Sequence, residues 1–249
     1  MFKFKFKKKR PVCAAVIAAA GSASRMGGTD KVLALLEGKP VLWYAIRAFD
    51  LNPCVQEIVV VVREDQVAAV AQLCEDGEFE KVRTVLVGGE NRVESVRIGA
   101  DAVSKEYGLI AVHDGARPLV SQHIITETVE KAARFGAAAP AIPVKDTVKR
   151  AEGGTVAETP DRSTLFAVQT PQIFDADLLR AALKDAEDSG AAVTDDCAAV
   201  ERIGMRPVLT KGAEENLKIT TPIDLEIAAL YLRKEGSLCV SDTATTSTG

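Results

Sequence analysis

The sequence predicts a doubly wound α/β fold, in which helices cover both faces of a parallel sheet. Short Ala- and Val-rich runs of strand length alternate with longer amphipathic segments, which is the pattern of parallel strands joined by helices. Nearly half of the residues (47%) are hydrophobic and only 5% are aromatic, a composition that suits strands buried on both faces. Loops follow three predicted strands near Gly21, Gly89 and Asp114. Because ligands bind beyond the carboxyl ends of such strands, these loops are expected to face one crevice.

Each element follows from its local pattern. The run 58–62 is uninterrupted and β-branched, which is typical of a buried strand. Leu42, Ile46 and Phe49 recur at helical spacing, and Gly136 stands where a glycine commonly ends a helix. The predicted strands are 14–20, 58–62, 82–87, 109–113, 137–143 and 208–210, and the predicted helices are 41–49, 65–74, 93–102, 124–135, 176–189, 195–203 and 222–233.

The alternation of strands and helices breaks between residues 144 and 174. Residues 145–150 and 155–158 alternate like strands around Gly153 and Gly154, which is typical of a β-hairpin. Two polar strands are marginally stable alone in water. We therefore predict a protruding β-arm at about 144–170 that leans on a partner subunit.

The length of 249 residues allows one large α/β domain or two small ones, and we predict a single domain over 11–236. Residues 1–10 alternate Phe with Lys and lack the apolar core of a secretory signal, so we expect a poorly ordered basic extension. Residues 237–249 are rich in Ser and Thr and are predicted to be disordered.

Charge and cysteine content exclude several classes of protein. The net charge of −4 argues against a nucleic-acid partner, and no apolar run is long enough to cross a membrane. The five cysteines are scattered and odd in number, which indicates neither a disulfide framework nor a zinc site. Two histidines are too few for a histidine-based metal centre. A reducing cytoplasm is the predicted location.

The loop after the first strand is the leading candidate for a phosphate site. Its small residues around Gly21 allow backbone N–H groups to approach an anion, and Arg25 and Lys31 follow at a distance that allows both to contact it. An ordinary strand–turn–helix junction with solvated cations is an equally good interpretation of the loop alone. The P-loop and dinucleotide fingerprints are both absent, since no Gly-Lys-Ser/Thr follows and position 23 is alanine.

Asp114 is the leading candidate for a metal ligand. A carboxylate at the end of a strand beside a phosphate loop suits Mg²⁺, which completes its coordination with phosphate and water. The alternative is an aspartate that stabilises a turn. Arg117 adds a second anion contact, whereas His113 is interpreted as structural. Lys218 precedes a helix entry, and its spacing alone favours a solvated surface lysine.

A series of motifs gives these candidates a common context. AAAGSASRMG with Asp30-Lys31, GGENRVESV, HDGARP, VKDTVKR, DR-x-x-LFAVQTPQ, TDD and ENLKITTP occur in one order. The series resembles the 2-C-methyl-D-erythritol 4-phosphate cytidylyltransferase family of the non-mevalonate isoprenoid pathway over about 12–232. The resemblance implies a Rossmann-like nucleotidyltransferase fold, a homodimer formed through the β-arm, and Mg²⁺. It also implies CTP and methylerythritol phosphate as substrates, with the CDP-linked alcohol and pyrophosphate as products.

The resemblance also implies roles for residues at the nucleotide. Arg25, Lys31 and Lys218 would contact the triphosphate and stabilise the charge that develops at its α-phosphorus. The backbone around Ala19, Ala20 and Gly89, with Ser95, would read the cytosine. The nucleotide-binding residues implied in this way are Ala19, Ala20, Gly21, Ser22, Gly89 and Ser95.

A second set of implied residues concerns the acceptor. Asp114 would hold Mg²⁺ and face the sugar phosphate, while Arg162 and Thr147 would reach over from the arm of the neighbouring subunit. Arg162 is also implied in catalysis. The substrate-binding residues implied by the motifs are Asp114, Arg117, Thr147, Arg162, Thr170 and Thr194.

Two departures from the family pattern stand in the first loop. Ala23 replaces a common glycine, and Asp30 and Val32 flank Lys31 where proline and glutamine are usual. Asp30 puts a negative charge beside the expected triphosphate. The alternatives are a ribitol-5-phosphate cytidylyltransferase, which has the same loops, and a non-catalytic nucleotide-binding module. HDGARP and DR-x-x-L favour the methylerythritol family, and the four retained charges at 25, 31, 114 and 218 argue against an idle module.

Overall fold

A computed structural model describes residues 10–21 and 30–241 of the chain, with side chains through Lys234. The strands are β1 (Cys13–Ala18), β2 (Leu35–Leu36), β3 (Lys39–Pro40), β4 (Val55–Val62), β5 (Val82–Val87), β6 (Leu109–Asp114), β7 (Ala137–Pro143), β8 (Arg150–Glu152), β9 (Thr155–Glu158), β10 (Phe166–Val168), β11 (Gln172–Asp175) and β12 (Val208–Lys211). The α-helices are α1 (Val41–Asp50), α2 (Val67–Asp76), α3 (Arg92–Ala102), α4 (Gln122–Phe135), α5 (Ala176–Asp188), α6 (Asp196–Arg202) and α7 (Pro222–Ser241). The basic extension through residue 9, Ser22, Arg25 and residues 242–249 lie outside the described residues.

The central strands confirm the parallel, doubly wound prediction. β1 pairs in parallel with β4 on one side and with β6 on the other, and β5 pairs in parallel with β4. In this register Ala18 lies opposite Val61 on β4 and Asp114 on β6. The carboxyl ends of these strands therefore meet at one edge of the sheet.

The side chains of β1 alternate between two cores. Ala15 and Ile17 pack with α1 and α4 on one face, whereas Ala14 and Val16 pack with α3, α5 and α6 on the other. Burial of side chains such as Ile17 contributes roughly 1.5–3 kcal/mol each relative to exposure. Because the strands are apolar at every position, both faces of the sheet must be covered, and helices cover each face.

The far half of the sheet differs from the parallel prediction. β11 lies between β6 and β7 and is antiparallel to both, and β10 is antiparallel to the carboxyl end of β7. β12 pairs in parallel with the opposite edge of β7. Neither β10 nor β11 was predicted, because their three- and four-residue runs carry too little periodicity to be recognised.

Most helix positions were predicted to within a few residues. Ser121 caps the start of α4, where its hydroxyl accepts the N–H of Ile124, and Gly136 follows the last residue of α4 with the expected left-handed backbone (φ 85°). α7 extends to Ser241 rather than to residue 233, so the first part of the predicted disordered tail is helical. No helix among the described residues is long and apolar enough to cross a membrane.

β8 and β9 form an antiparallel hairpin that is separate from the main sheet. Its turn is at Gly153 and Gly154, both with positive φ (54° and 81°), as predicted. The first strand was placed wrongly, since only Arg150 of the range 145–150 belongs to it. All residues of both strands are exposed, so within one chain the hairpin buries almost no surface of its own.

Candidate active site

A cleft of about 870 Å³ lies at the carboxyl edge of the parallel strands. The three loops that were predicted to converge all line it, through Gly21 after β1, Gly89 after β5 and Asp114 at the end of β6. Lys31 and Lys218 line the same cleft although 187 positions separate them in the chain. The topology therefore brings together the small-residue loop, a carboxylate and two lysines.

Small residues allow the loops at the cleft to pack closely against one another. A Cβ at Gly88 would lie 2.5 Å from the Cβ of Ala20, and a Cβ at Gly115 would lie 3.0 Å from that of Ala19. The N–H of Ala19 donates to the carbonyl of Val61 at 2.7 Å, which holds the end of β1 against β4. A larger side chain at these positions would push the loops apart and fill the space for a ligand.

The loop between β5 and α3 is held by its own side chains. The hydroxyl of Ser95 accepts the N–H of Gly89 at 3.1 Å and donates to the carbonyl of Asn91 at 2.8 Å. Asn91 caps α3 by accepting the N–H of Glu94, and the Glu94 carboxylate in turn accepts the N–H of Glu90. Ser95 is buried, so in this structure its hydroxyl shapes the Gly89 loop.

Asp114 is surrounded by positive charge. Its carboxylate oxygens lie 2.7 Å from Nη1 of Arg92, 2.9 Å from Nζ of Lys218 and 3.5 Å from Nε of Arg117. Burial alone would raise the pKa of Asp114, but the three cations outweigh burial and hold the pKa well below its usual range. The side chain is therefore a carboxylate at all ordinary pH values.

Lys218 is not the solvated surface lysine that its spacing favoured. Its ammonium contacts Asp114 at 2.9 Å, and its side chain is 37% exposed, toward the cleft. The segment that carries it is joined to the loop after β6 by the N–H of Ile219, which donates to the carbonyl of Ala116 at 2.8 Å. The ammonium group thus stands at the cleft wall with room to reach a ligand.

Arg92 is a site residue that the sequence analysis did not assign. Its guanidinium bridges Asp114 and Asp196, with both Nη–Oδ distances at 2.7 Å. The charge of Asp196 and, to a lesser extent, that of Asp114 raise the pKa of Arg92, whereas burial raises the pKa of Asp196. Arg92 lies in the motif GGENRVESV and Asp196 lies in TDD. Their places in these motifs are the sequence feature that could have identified them as site residues.

Thr170 and His113 lie beneath Asp114 rather than in the cleft. The Thr170 hydroxyl accepts the backbone N–H of Asp114 at 3.0 Å and lies 3.0 Å from Nδ1 of His113. Nε2 of His113 lies 3.1 Å from the carbonyl of Arg117, and burial lowers the pKa of His113 to about 4. Because a neutral imidazole has one donor, Nε2–H donates to the carbonyl and the Thr170 hydroxyl donates to Nδ1.

Arg117 is also turned away from the cleft lining. Its Nη1 donates to the carbonyl of Asn216 at 2.7 Å, and burial lowers the pKa of its guanidinium. The side chain therefore ties the segment before Lys218 to the end of β6. In this structure Arg117 and Thr170 contact the protein around Asp114, and neither lines the cleft.

Asp30, the departure beside Lys31, has its charge compensated. One carboxylate oxygen lies 2.6 Å from Nη1 of Arg63 and also accepts from the amide of Gln66, while the other accepts the N–H of Val32 at 3.0 Å. The carboxylate therefore holds the backbone next to Lys31. The expected repulsion of a phosphate by Asp30 is reduced, because Arg63 pairs with it and also lines the cleft.

The residues assigned to the arm and to the TDD motif lie apart from the cleft of their own chain. Thr147, Arg162 and Thr194 are exposed, and none of them lines the cleft. Nη1 of Arg162 donates to the carbonyl of Lys145 at 2.6 Å, at the base of the hairpin. Among the described residues, the single chain does not bring these three side chains to Lys31 and Lys218.

A doubly wound sheet with a small-residue loop, a second glycine loop and several cations at its carboxyl edge defines an α/β enzyme of the nucleotide-binding class. The sequence model of 2-C-methyl-D-erythritol 4-phosphate cytidylyltransferase matches residues 13–234. The chain belongs to this family.

Relatives and solved structures agree with the assignment. The chain is 43% identical over 227 residues to the 2-C-methyl-D-erythritol 4-phosphate cytidylyltransferase of Caldanaerobacter subterraneus, covering 88% of this chain and 98% of the relative. Its fold matches the crystal structure of 4-diphosphocytidyl-2C-methyl-D-erythritol synthase from Anaerococcus prevotii with a TM-score of 0.80 at 28% identity, over 90% of this chain and 96% of that one. The Thermus thermophilus cytidylyltransferase structure matches with a TM-score of 0.74 at 30% identity, over 90% and 99%.

Proposed function

We propose that the chain transfers CMP from CTP to 2-C-methyl-D-erythritol 4-phosphate, releasing pyrophosphate and forming 4-diphosphocytidyl-2-C-methyl-D-erythritol. The observation that carries the proposal is the carboxyl-edge cleft, where Lys31 and Lys218 flank two backbone loops able to receive a nucleotide. The family assignment supplies the identity of the two substrates. Four described cysteines are free thiols, which suits the cytoplasm as the place of the reaction.

The reaction needs charge stabilisation more than proton transfer. An acceptor phosphate is already an anion, so its oxygen forms the new bond to the α-phosphorus while the bond to the β-phosphate oxygen breaks and pyrophosphate leaves. Two anions must therefore be held in line against their repulsion, with charge spread over the α-phosphoryl oxygens. Lys31 and Lys218, with Arg25 of the loop motif, are the proposed stabilising groups.

The ion pair of Lys218 with Asp114 suggests how the cleft responds to CTP. A triphosphate carries several negative charges, so it competes with Asp114 for the Lys218 ammonium. Two opposite unit charges 4 Å apart attract by about 4 kcal/mol near a protein surface. Lys218 would thus exchange one oxygen partner for another and release an oxygen of Asp114 toward the cleft.

The nucleotide itself would lie along the two loops. The backbone of Gly21 is proposed to receive the phosphates, with Ser22 of the loop motif, while the backbone around Ala19 and Ala20 faces the cytosine. Gly89 and Ser95 are proposed to recognise the cytosine through the loop that the Ser95 hydroxyl shapes. A base is recognised best by a rigid set of donors and acceptors, because little free energy is then spent on ordering the loop when the nucleotide binds.

The residues fit a Mg²⁺ ion that arrives with CTP. The described residues contain no group of three or more His, Cys, Asp or Glu side chains placed to hold a metal, so phosphate and water oxygens would supply most of its ligands. Asp114 is the proposed protein ligand, through the oxygen that Lys218 releases. When bound, Mg²⁺ would neutralise part of the triphosphate charge.

Replacing Asp114 with Asn tests this assignment. We expect the Mg²⁺ concentration for half-maximal rate to rise several-fold, and the thermal midpoint to fall because Asn leaves Arg92, Lys218 and Arg117 without their shared anion. Breaking a buried charge pair typically costs about 3–5 kcal/mol, and added pyrophosphate should restore part of this stability. Asp101→Asn, at a half-exposed ion pair with Arg97, is the control. An unaltered Mg²⁺ titration would remove Asp114 from the ion's ligands.

The acceptor is tested by pyrophosphate release from CTP. With 2-C-methyl-D-erythritol 4-phosphate we expect turnover at a rate typical of enzymes, about 1–10³ s⁻¹. Ribitol 5-phosphate, at the same concentration, should give at least about tenfold less. A preference for ribitol 5-phosphate would assign the chain to the sister activity, and no release with either acceptor would contradict the proposed reaction.

The acceptor site is proposed to be completed by a second chain. Among the described residues the hairpin of β8 and β9 pairs with no other strand, and Val156 (58% exposed) and Phe166 (45% exposed) leave apolar surface in and beside it. A homodimer formed through this arm would cover that surface. It would also bring Thr147 and Arg162 of one chain to the cleft of the other, where an acceptor phosphate needs a cation.

A further inference from the structure

The sequence Gln169-Thr170-Pro171-Gln172, called here the QTPQ segment, joins β10 to β11 and is buried. None of its residues lines the cleft. Each of its three polar side chains nevertheless binds a different chain segment beside the charged groups of the site. Thr170 holds the backbone N–H of Asp114. The two glutamines act on either side of this contact.

Gln169 holds the segment that precedes Lys218. Its Nε2 donates to the carbonyl of Ala213 at 2.7 Å, and its Oε1 accepts the N–H of Ala213 at 3.3 Å and Nδ2 of Asn216 at 3.2 Å. Asn216 is completely buried and stands two residues before Lys218. Gly212 allows this approach, because a Cβ there would lie 2.6 Å from Oε1 of Gln169.

Gln172 holds the start of α6. Its Nε2 donates to the carboxylate of Asp195 at 2.8 Å, and its Oε1 accepts the N–H of Cys197 at 2.9 Å. These two residues flank Asp196, whose carboxylate contacts Arg92. Arg92 bridges Asp196 and Asp114. By fixing the backbone on both sides of Asp196, Gln172 therefore helps to fix the position of Arg92 beside Asp114.

We infer that Gln169 and Gln172 are positioning residues for catalysis, which set Lys218 and the Arg92–Asp196 pair at the correct places around Asp114. Both amides use donor and acceptor atoms at once, so each fixes the distance and the direction of the loop that it holds. The four charged groups lie on four chain segments more than twenty residues apart. The QTPQ segment contacts three of these segments, those that carry Asp114, Asp196 and Lys218. The inference rests on the proposed function, in which Lys218 contacts the transferred phosphates.

Methionine substitutions test the inference, because methionine keeps the length of glutamine without its hydrogen bonds. Gln169→Met and Gln172→Met are each expected to lower kcat about 10- to 100-fold, the range seen when groups that orient a direct ligand are removed. Thr128→Val is the matched control. Thr128 is completely buried and donates to the carbonyl of Ile124, away from the cleft, so its loss should lower the thermal midpoint similarly and leave kcat within about twofold.

A double-mutant cycle separates positioning from general stability. In a Lys218→Ala background, Gln169→Met should lower kcat less than about twofold further, because the group that it positions is gone, whereas Gln172→Met should retain most of its effect. If Gln169→Met does not fold, Asn216→Ala removes the two bonds that join Asn216 to the QTPQ segment, to Oε1 of Gln169 and to the carbonyl of Thr170, while Gln169 keeps its bonds to Ala213.

The outcomes are distinct. A loss of kcat for Gln169→Met that is equal in both backgrounds, or no larger than that of Thr128→Val, would overturn the inference. Absence of pyrophosphate release by the unaltered chain with CTP and methylerythritol phosphate would overturn the proposed function instead.

Discussion

Lys31→Ala is expected to lower kcat/KM for CTP by about 10²–10³, the range found when one preorganised charge-stabilising group is removed from an active site. Lys31 and Lys218 both line the cleft, and we propose that the Lys31 ammonium stabilises the charge that develops on the α-phosphoryl group. Arg25→Ala, on the same loop motif, is expected to have a comparable effect. The measurement is steady-state pyrophosphate release at saturating acceptor.

The same substitution should change the thermal midpoint by only a few degrees. The carboxylate of Asp30 holds the backbone at Val32 and pairs with Arg63, and these contacts do not involve the Lys31 side chain. Lys184→Ala, at an exposed position on α5, is the control for loss of a surface lysine. A Lys31→Ala protein that keeps near-parental turnover would show that the opening loop is not the triphosphate site.

The parts of the fold that follow from local pattern were predicted well. β5 and β7 have the predicted bounds, and α1 and α3 differ by one residue. Short apolar runs and helical spacing can each be recognised within one segment of the sequence. The antiparallel β11 was missed because its position depends on pairing with residues of β6 and β7 that lie at least 35 positions earlier in the sequence (Ile173 with Ala138, 173 − 138 = 35). A four-residue run does not carry that information.

The candidate site, like the fold, has features that the sequence predicts and features that it does not. The convergence of the Gly21, Gly89 and Asp114 loops was predicted, since the carboxyl ends of parallel strands share one edge. The Arg92–Asp196 bridge was not predicted, because it joins residues 104 positions apart. The substrate contact of Thr170 stays a prediction from the motif, and in this structure the Thr170 hydroxyl binds Asp114 and His113. A motif indicates that a residue belongs to the site, whereas the contacts of its side chain are known only from the structure.

Shared active sites are the second large effect that we expect. Arg162 is exposed at the base of the hairpin and does not line the cleft of its own chain, so it can serve catalysis only in the cleft of a partner or after a large movement of the arm. Arg162→Ala and Lys31→Ala proteins should each be nearly inactive alone. In a dimer of one chain of each kind, one cleft carries both defects and the other carries neither.

Mixing the two inactive proteins should therefore restore activity. Random exchange of subunits gives half mixed dimers, each with one intact cleft, so roughly a quarter of the parental turnover is expected. Mixing Lys31→Ala with Lys218→Ala is the matched control: both residues line the cleft of one chain, so every cleft keeps a defect and no activity should return. Native mass measurement shows whether mixed dimers form. Mixed dimers without recovered activity would mean that Arg162 serves its own chain, and that each cleft is complete within one subunit once the arm has moved.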